Sequence, residues 1–206
     1  MKTDVISLYG DLGGQSKAMA ETEHFSEYLG LTGKTAMHLR LLTEEAISMV
    51  HGIVQDFEGS FWLESEQTEK GTLCRICVTA DVDVSDGQEA KLLDVATSGK
   101  NEAAKGIIGK IRQVLRWSLQ HTDDEDLVKQ SWYEMGAYGP HATSVQAVGS
   151  FWSLADYRKK VENADAAESE RDELEKSIVA KLADEVKVGI RSGKAEVMIE
   201  KLIPNA

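Results

Sequence analysis

The chain is poor in cysteine: its 206 residues hold only Cys74 and Cys77. Two cysteines three residues apart exclude a disulfide framework and fit a reducing compartment, so a cytoplasmic protein is expected. Long apolar runs are missing too. None approaches the roughly 18 to 20 residues that span a bilayer. Met1 to Leu8 has no basic region followed by a long apolar core, so no signal peptide is expected. Positive charge is scarce, with 23 Lys and Arg against 35 Asp and Glu, a net charge of −12. That balance disfavours a phosphate backbone and an anionic membrane surface, so neither nucleic acid nor membrane is an expected partner. The Cys74-Arg-Ile-Cys77 spacing suggests redox or zinc chemistry in isolation. On a strand, however, residues three apart point to opposite faces, and no second cysteine pair exists. Both are read as structural, and no metal site is expected.

A chain of this length makes one domain, 1–206, with enough interior to fold without disulfides or metals. Its organising stretch is Leu39 to Gln55, read as one long helix. Leu39, Leu42, Ala46, Met49, Val50 and Ile53 recur at steps of three and four and form one apolar stripe. Glu44 and Glu45 lie in its middle. A carboxylate beside an apolar stripe must be solvated, paired or bound to a ligand.

Before this helix, Val5 to Tyr9 reads as a short strand. Glycines at 10, 13 and 14 break it, and Ser16 is the expected N-cap of a helix from Lys17 to Leu29 that Gly30 ends. The loop Leu31 to Thr35 contains Gly33-Lys34-Thr35, the tail of a phosphate-binding loop. That motif needs a glycine five residues before Gly33, and the residue there is Tyr28.

After Gly59 the period changes. Ser60 to Gln67 and Leu73 to Val84 read as strands joined by a polar turn at Glu69 to Gly71. In the second, Ile76, Val78, Ala80, Val82 and Val84 share one face, while Arg75, Cys77, Thr79, Asp81 and Asp83 share the other. A helix is expected over Ala103 to Leu119, followed by the acidic patch Asp123 to Asp126, a solvated turn or helix start. Trp117, Trp132, Tyr133, Tyr138 and Trp152 then concentrate aromatic surface around Gly136, Gly139 and Pro140. Such a group either packs an insertion onto its own domain or meets a protein partner. Ser153 to Ala183 reads as one long charged helix, which also offers a route to a homodimer. A hairpin ends the chain, with Val186, Val188 and Ile190 alternating up to Ser192-Gly193 and Ala195, Val197 and Ile199 alternating away.

These elements imply an α+β two-layer sandwich: helices on one face of a mixed or antiparallel sheet, with a helical insertion at 99–170 before the last helix and the C-terminal hairpin. Their order resembles the histidine-kinase-like ATPase fold, and most of all its bacterial anti-sigma-factor kinase branch. Leu42-Thr-Glu-Glu-Ala46 is similar to that family's helix with a catalytic Glu. Ile76 to Asp81 looks like its middle strand. Ile178 to Val188 and Ser192 to Leu202 look like its last helix and hairpin. The resemblance covers about 1–95 and 170–203, and makes 99–170 an enlarged lid or insertion.

What the resemblance implies about chemistry is divided. Glu45 fits the catalytic position and Asp81 the adenine-reading Asp. The Mg²⁺-holding Asn, four residues after the Glu, is Met49 here, and a thioether is a poor ligand for a hard cation. The glycine positions after Asp81 hold Asp83 and Ser85. Gly87 comes two residues late. The last helix opens on Asp172-Glu-Leu-Glu-Lys176 with no phosphate-cradling glycine, and Gly106-Ile-Ile-Gly109 has the wrong spacing to replace it. One expectation is therefore a regulator that has lost ATP chemistry and works through protein–protein contact. The alternative is an active serine/threonine kinase using ATP and Mg²⁺, with Glu45 as general base, Asp81 on adenine, and Lys100 and Asn101 replacing the lost phosphate and metal contacts. A third reading is an unrelated α+β binding domain sharing the order of elements.

Overall fold

A computed structural model describes residues 1–9, 14–53, 58–81, 150–162, 168–191 and 194–205. The helix expected over Ala103 to Leu119 and the acidic patch at Asp123 to Asp126 lie outside the described residues. So do Val82, Val84 and the Ser192-Gly193 turn.

The described architecture is α+β, with five helices and one open six-stranded sheet. The strands are β1 (Ile6–Tyr9), β2 (Glu58–Thr68), β3 (Gly71–Asp81), β4 (Ser150–Ser153), β5 (Glu185–Arg191) and β6 (Lys194–Pro204). The helices are α1 (Gln15–Tyr28), α2 (Gly33–Ile53), α3 (Leu154–Glu162), α4 (Glu168–Lys176) and α5 (Ile178–Leu182). Strand order is β1-β2-β3-β6-β5-β4, and every pairing is antiparallel. Of the two sheet types left open by the sequence, the antiparallel one forms.

The period of two decides which face is buried. Phe61 and Leu63 of β2, Ile76, Val78 and Ala80 of β3, Val186 and Val188 of β5, and Ala195, Val197 and Ile199 of β6 are buried together. The register aligns them in cross-strand rows, with Phe61 beside Val78, Val78 beside Val197 and Val197 beside Val188. The stripe Leu39, Leu42, Ala46, Met49 and Val50 of α2 packs on this face, joined by Ala18 and Phe25 of α1. Burial of each large apolar side chain contributes about 1.5–3 kcal/mol, which makes this one layer contact the main source of cohesion. The opposite face carries Trp62, Glu64, Arg75, Thr79, Glu196 and Glu200, where Arg75 bridges Glu66 at 2.8 Å and Glu200 at 3.1 Å.

Helix ends follow local chemistry. α1 ends as a glycine-terminated helix should: Gly30 has φ +69, its N–H donates to Glu27 O, and the Leu31 N–H donates to Ser26 O. Its start differs from expectation. Gly14, not Ser16, is the N-cap, with no side-chain cap. A Cβ at position 14 would lie 2.6 Å from Ser7 O, so the close approach of α1 to β1 requires glycine there. α2 begins at Gly33, inside the segment expected to be a loop, which makes Lys34 and Thr35 first-turn residues.

The long helix expected over Ser153 to Ala183 does not form as one piece. β4 and the three short helices α3, α4 and α5 occupy that stretch. Ser153 starts the first described helix of this stretch, and Ser177 separates α4 from α5. Ser153 Oγ accepts from Asp156 N at 3.3 Å to start α3. Ser177 is extended (φ −73°, ψ 122°), and its Oγ accepts from Ala180 N at 3.2 Å to start α5. Serine competes for backbone donors and so favours caps over helix interiors.

Strand β4 was not legible in the sequence. Only four residues long, it has no usable alternation, and its pairing with β5 creates it (Trp152 beside Val188). Among the described residues, neither edge strand of the sheet is longer than four residues. β4 carries a bulge between Ser150 and Trp152. On the other side, Met1 to Thr3 continues the pairing beyond β1, with Ser65 N donating to Met1 O at 2.8 Å and Thr3 N to Leu63 O at 2.9 Å. The break at Asp4 and Val5 separates that pairing from β1, a usual way to blunt an edge.

Candidate functional site

Among the described residues, two of the four expected site residues can be placed: Glu45 and Asp81. Lys100 and Asn101 lie outside them.

Glu45 sits in α2 between buried Leu42, Ala46 and Met49, at the margin of the helix's apolar stripe. It is partly exposed, whereas its neighbour Glu44 is exposed. Partial burial is the main cause that pushes its carboxyl above the ordinary glutamate range, and the like charge of Glu44 adds to it. Among the described residues no hydrogen bond or ion pair compensates. The two adjacent glutamates thus have different surroundings: one is a solvated surface charge, the other a carboxylate that takes up a proton more readily than usual.

Asp81 ends β3, and its neighbours define its face. Ala80 is buried against the helices, so Asp81 belongs to the other face with Arg75, Cys77 and Thr79. There it pairs with Lys194, the first residue of β6, at 2.8 Å, and both side chains are more than half exposed. The pair borders a shallow cavity of about 200 Å³ lined by Ser7, Tyr9, Glu58, Ser60, Asp81 and Lys194 among others. The structure therefore does not bring Glu45 and Asp81 together. Glu45 belongs to the helix layer, Asp81 points to the far side, and the sheet stands between them.

Met49 occupies the position where the resemblance implies an Mg²⁺ ligand. It is 1% exposed and part of the core formed by α2 and the sheet. Its thioether fills apolar space, a role suited to a flexible, polarisable side chain. Among the described residues, no three His, Cys, Asp or Glu side chains converge as metal ligands would.

The cysteines behave as strand geometry requires. Cys74 faces the helices and Cys77 the other side, and both are buried as free thiols. Burial pushes Cys74 up to about 11 and Cys77 up to about 12, which keeps both thiols protonated and unreactive at neutral pH.

Of the aromatic group, Trp117, Trp132, Tyr133 and Tyr138 lie outside the described residues. Trp152 is placed. It is 9% exposed, packs into the core and stands 5.9 Å from the ring of Tyr157. Sequence reasoning grouped it with the other aromatics because only the pairing of β4 shows which way it points.

Comparison with family models, with curated proteins and with solved structures finds no match for this chain. Among the described residues, no helix is long and apolar enough to cross a membrane.

Proposed function

We propose that this chain is a cytoplasmic regulatory protein of the histidine-kinase-like ATPase fold, related to anti-sigma-factor kinases, which has lost Mg-ATP chemistry and acts by binding another protein. One observation carries the reading: Met49, at the metal-ligand position, is built into the apolar core. A thioether packed in the core offers no hard oxygen to Mg²⁺. The separation of Glu45 from Asp81 by the sheet supports the same reading. The aromatic residues Trp117, Trp132, Tyr133 and Tyr138 supply the partner surface in this proposal, while Trp152 is a core residue.

The second reading, an active serine/threonine kinase, is favoured by the state of Glu45. A partly buried carboxyl held above its ordinary range is what a general base near neutral pH needs.

Calorimetry with Mg-ATP separates the two. No binding up to about 1 mM, where association is worth only about 4 kcal/mol, is the expected result. Micromolar binding that falls with Asp81→Ala overturns the proposal and establishes a nucleotide site. Deletion of 117–149, which spares Trp152 and β4, is expected to abolish capture of a partner while leaving the unfolding transition in place.

A further inference from the structure

We draw no further inference here: the strongest candidate, the shallow polar cavity on the sheet face away from the helices, at the ends of β1, β2, β3 and β6, carries nothing because Asp81 and Lys194 already pair across its rim and nothing in the structure shows what would occupy it.

Discussion

The hydroxyls of Thr22 and Thr43 meet at 3.1 Å across the contact between α1 and α2, and neither residue is exposed. Thr22 Oγ1 already donates to Ala18 O at 2.8 Å, so Thr43 is the donor between them. Ser26 Oγ donates to Thr22 O one turn later, at 2.8 Å. This short polar seam fixes how α1 lies on the helix that carries Glu45.

The seam makes an ordered prediction. Thr43→Val removes a donor but leaves Thr22 bonded to Ala18, and is expected to cost about 1 kcal/mol. Thr22→Val strands the Thr43 hydroxyl in the interior and is expected to cost more, roughly 1–3 kcal/mol. The double variant should recover part of that loss, because no buried hydroxyl is then left without a partner. Urea unfolding of the three variants checks this. A larger loss for Thr43→Val than for Thr22→Val would reverse the donor assignment.

Arg158 links α3 to the chain between α5 and β5. Its guanidinium donates to Ala180 O, to Ala183 O at 3.1 Å and to Asp184 O at 3.2 Å. These carbonyls, at and just beyond the end of α5, have no helical partners of their own, and the planar fork reaches all three. Arg158→Met keeps much of the stem and is expected to cost roughly 1–3 kcal/mol. Arg158→Lys should restore only part of it, because one ammonium cannot reproduce the fork. Equal stability of the wild-type and Met forms in denaturant would show that the contact contributes nothing.

Glu185 holds the other end of the same joint. Its carboxylate accepts from Ala155 N at 3.1 Å and Val186 N at 2.8 Å, at the start of α3 and within β5. Glu185→Ala is expected to cost about 1–2 kcal/mol, in line with loss of a helix cap. Hydrogen exchange should show the loss as faster exchange at the Ala155 and Val186 amides. Unchanged exchange at both amides would contradict the capping role.

The pH dependence at Glu45 has a definite sign. Its folded carboxyl lies above the unfolded value, because partial burial and Glu44 disfavour the charged form. Its contribution to stability is therefore fully present below about pH 4, the unfolded glutamate range, and is lost as pH rises through the folded value. Glu45→Gln should stabilise the fold modestly at pH 7, and the gain should vanish in acid. Paired urea curves at the two pH values test it. A variant less stable than wild type at pH 7 would point to an attractive partner for the carboxylate.

Met49 allows a direct test of packing against ligation. Met49→Asn restores the residue type that Mg²⁺ coordination would use, but it buries an amide in an apolar core. The expected cost is roughly 2–5 kcal/mol, with no gain in nucleotide affinity. Met49→Leu should cost less than about 1.5 kcal/mol. Mg-ATP binding by a folded Met49→Asn protein would show that the position remains open to metal.

Periodicity made much of this molecule legible. The stripe of α2 and the alternation of β3 and the terminal hairpin are local repeats, and hydrophobic burial acts on them directly. The layer architecture followed from those repeats alone. Gly30 was readable as a helix stop because a left-handed residue at a helix end has a local cost that glycine avoids.

Other features depended on partners distant in sequence. The start of α3 and the separation of α4 from α5 came from Ser153 and Ser177 finding backbone donors, and β4 came from β5 offering it a ladder. The need for glycine at 14 came from the backbone of β1, seven residues back in the chain yet in contact.

The candidate site shows the same division. The sequence by itself placed Glu45 beside an apolar stripe and Asp81 on the polar face of an alternating strand, and the family resemblance singled out both carboxylates. Only the tertiary structure decided that the sheet separates them, that Lys194 pairs with one, and that Met49 is packing. Residue type and period are properties of the chain, whereas the face a strand end presents and the company a side chain keeps are set when distant segments pack.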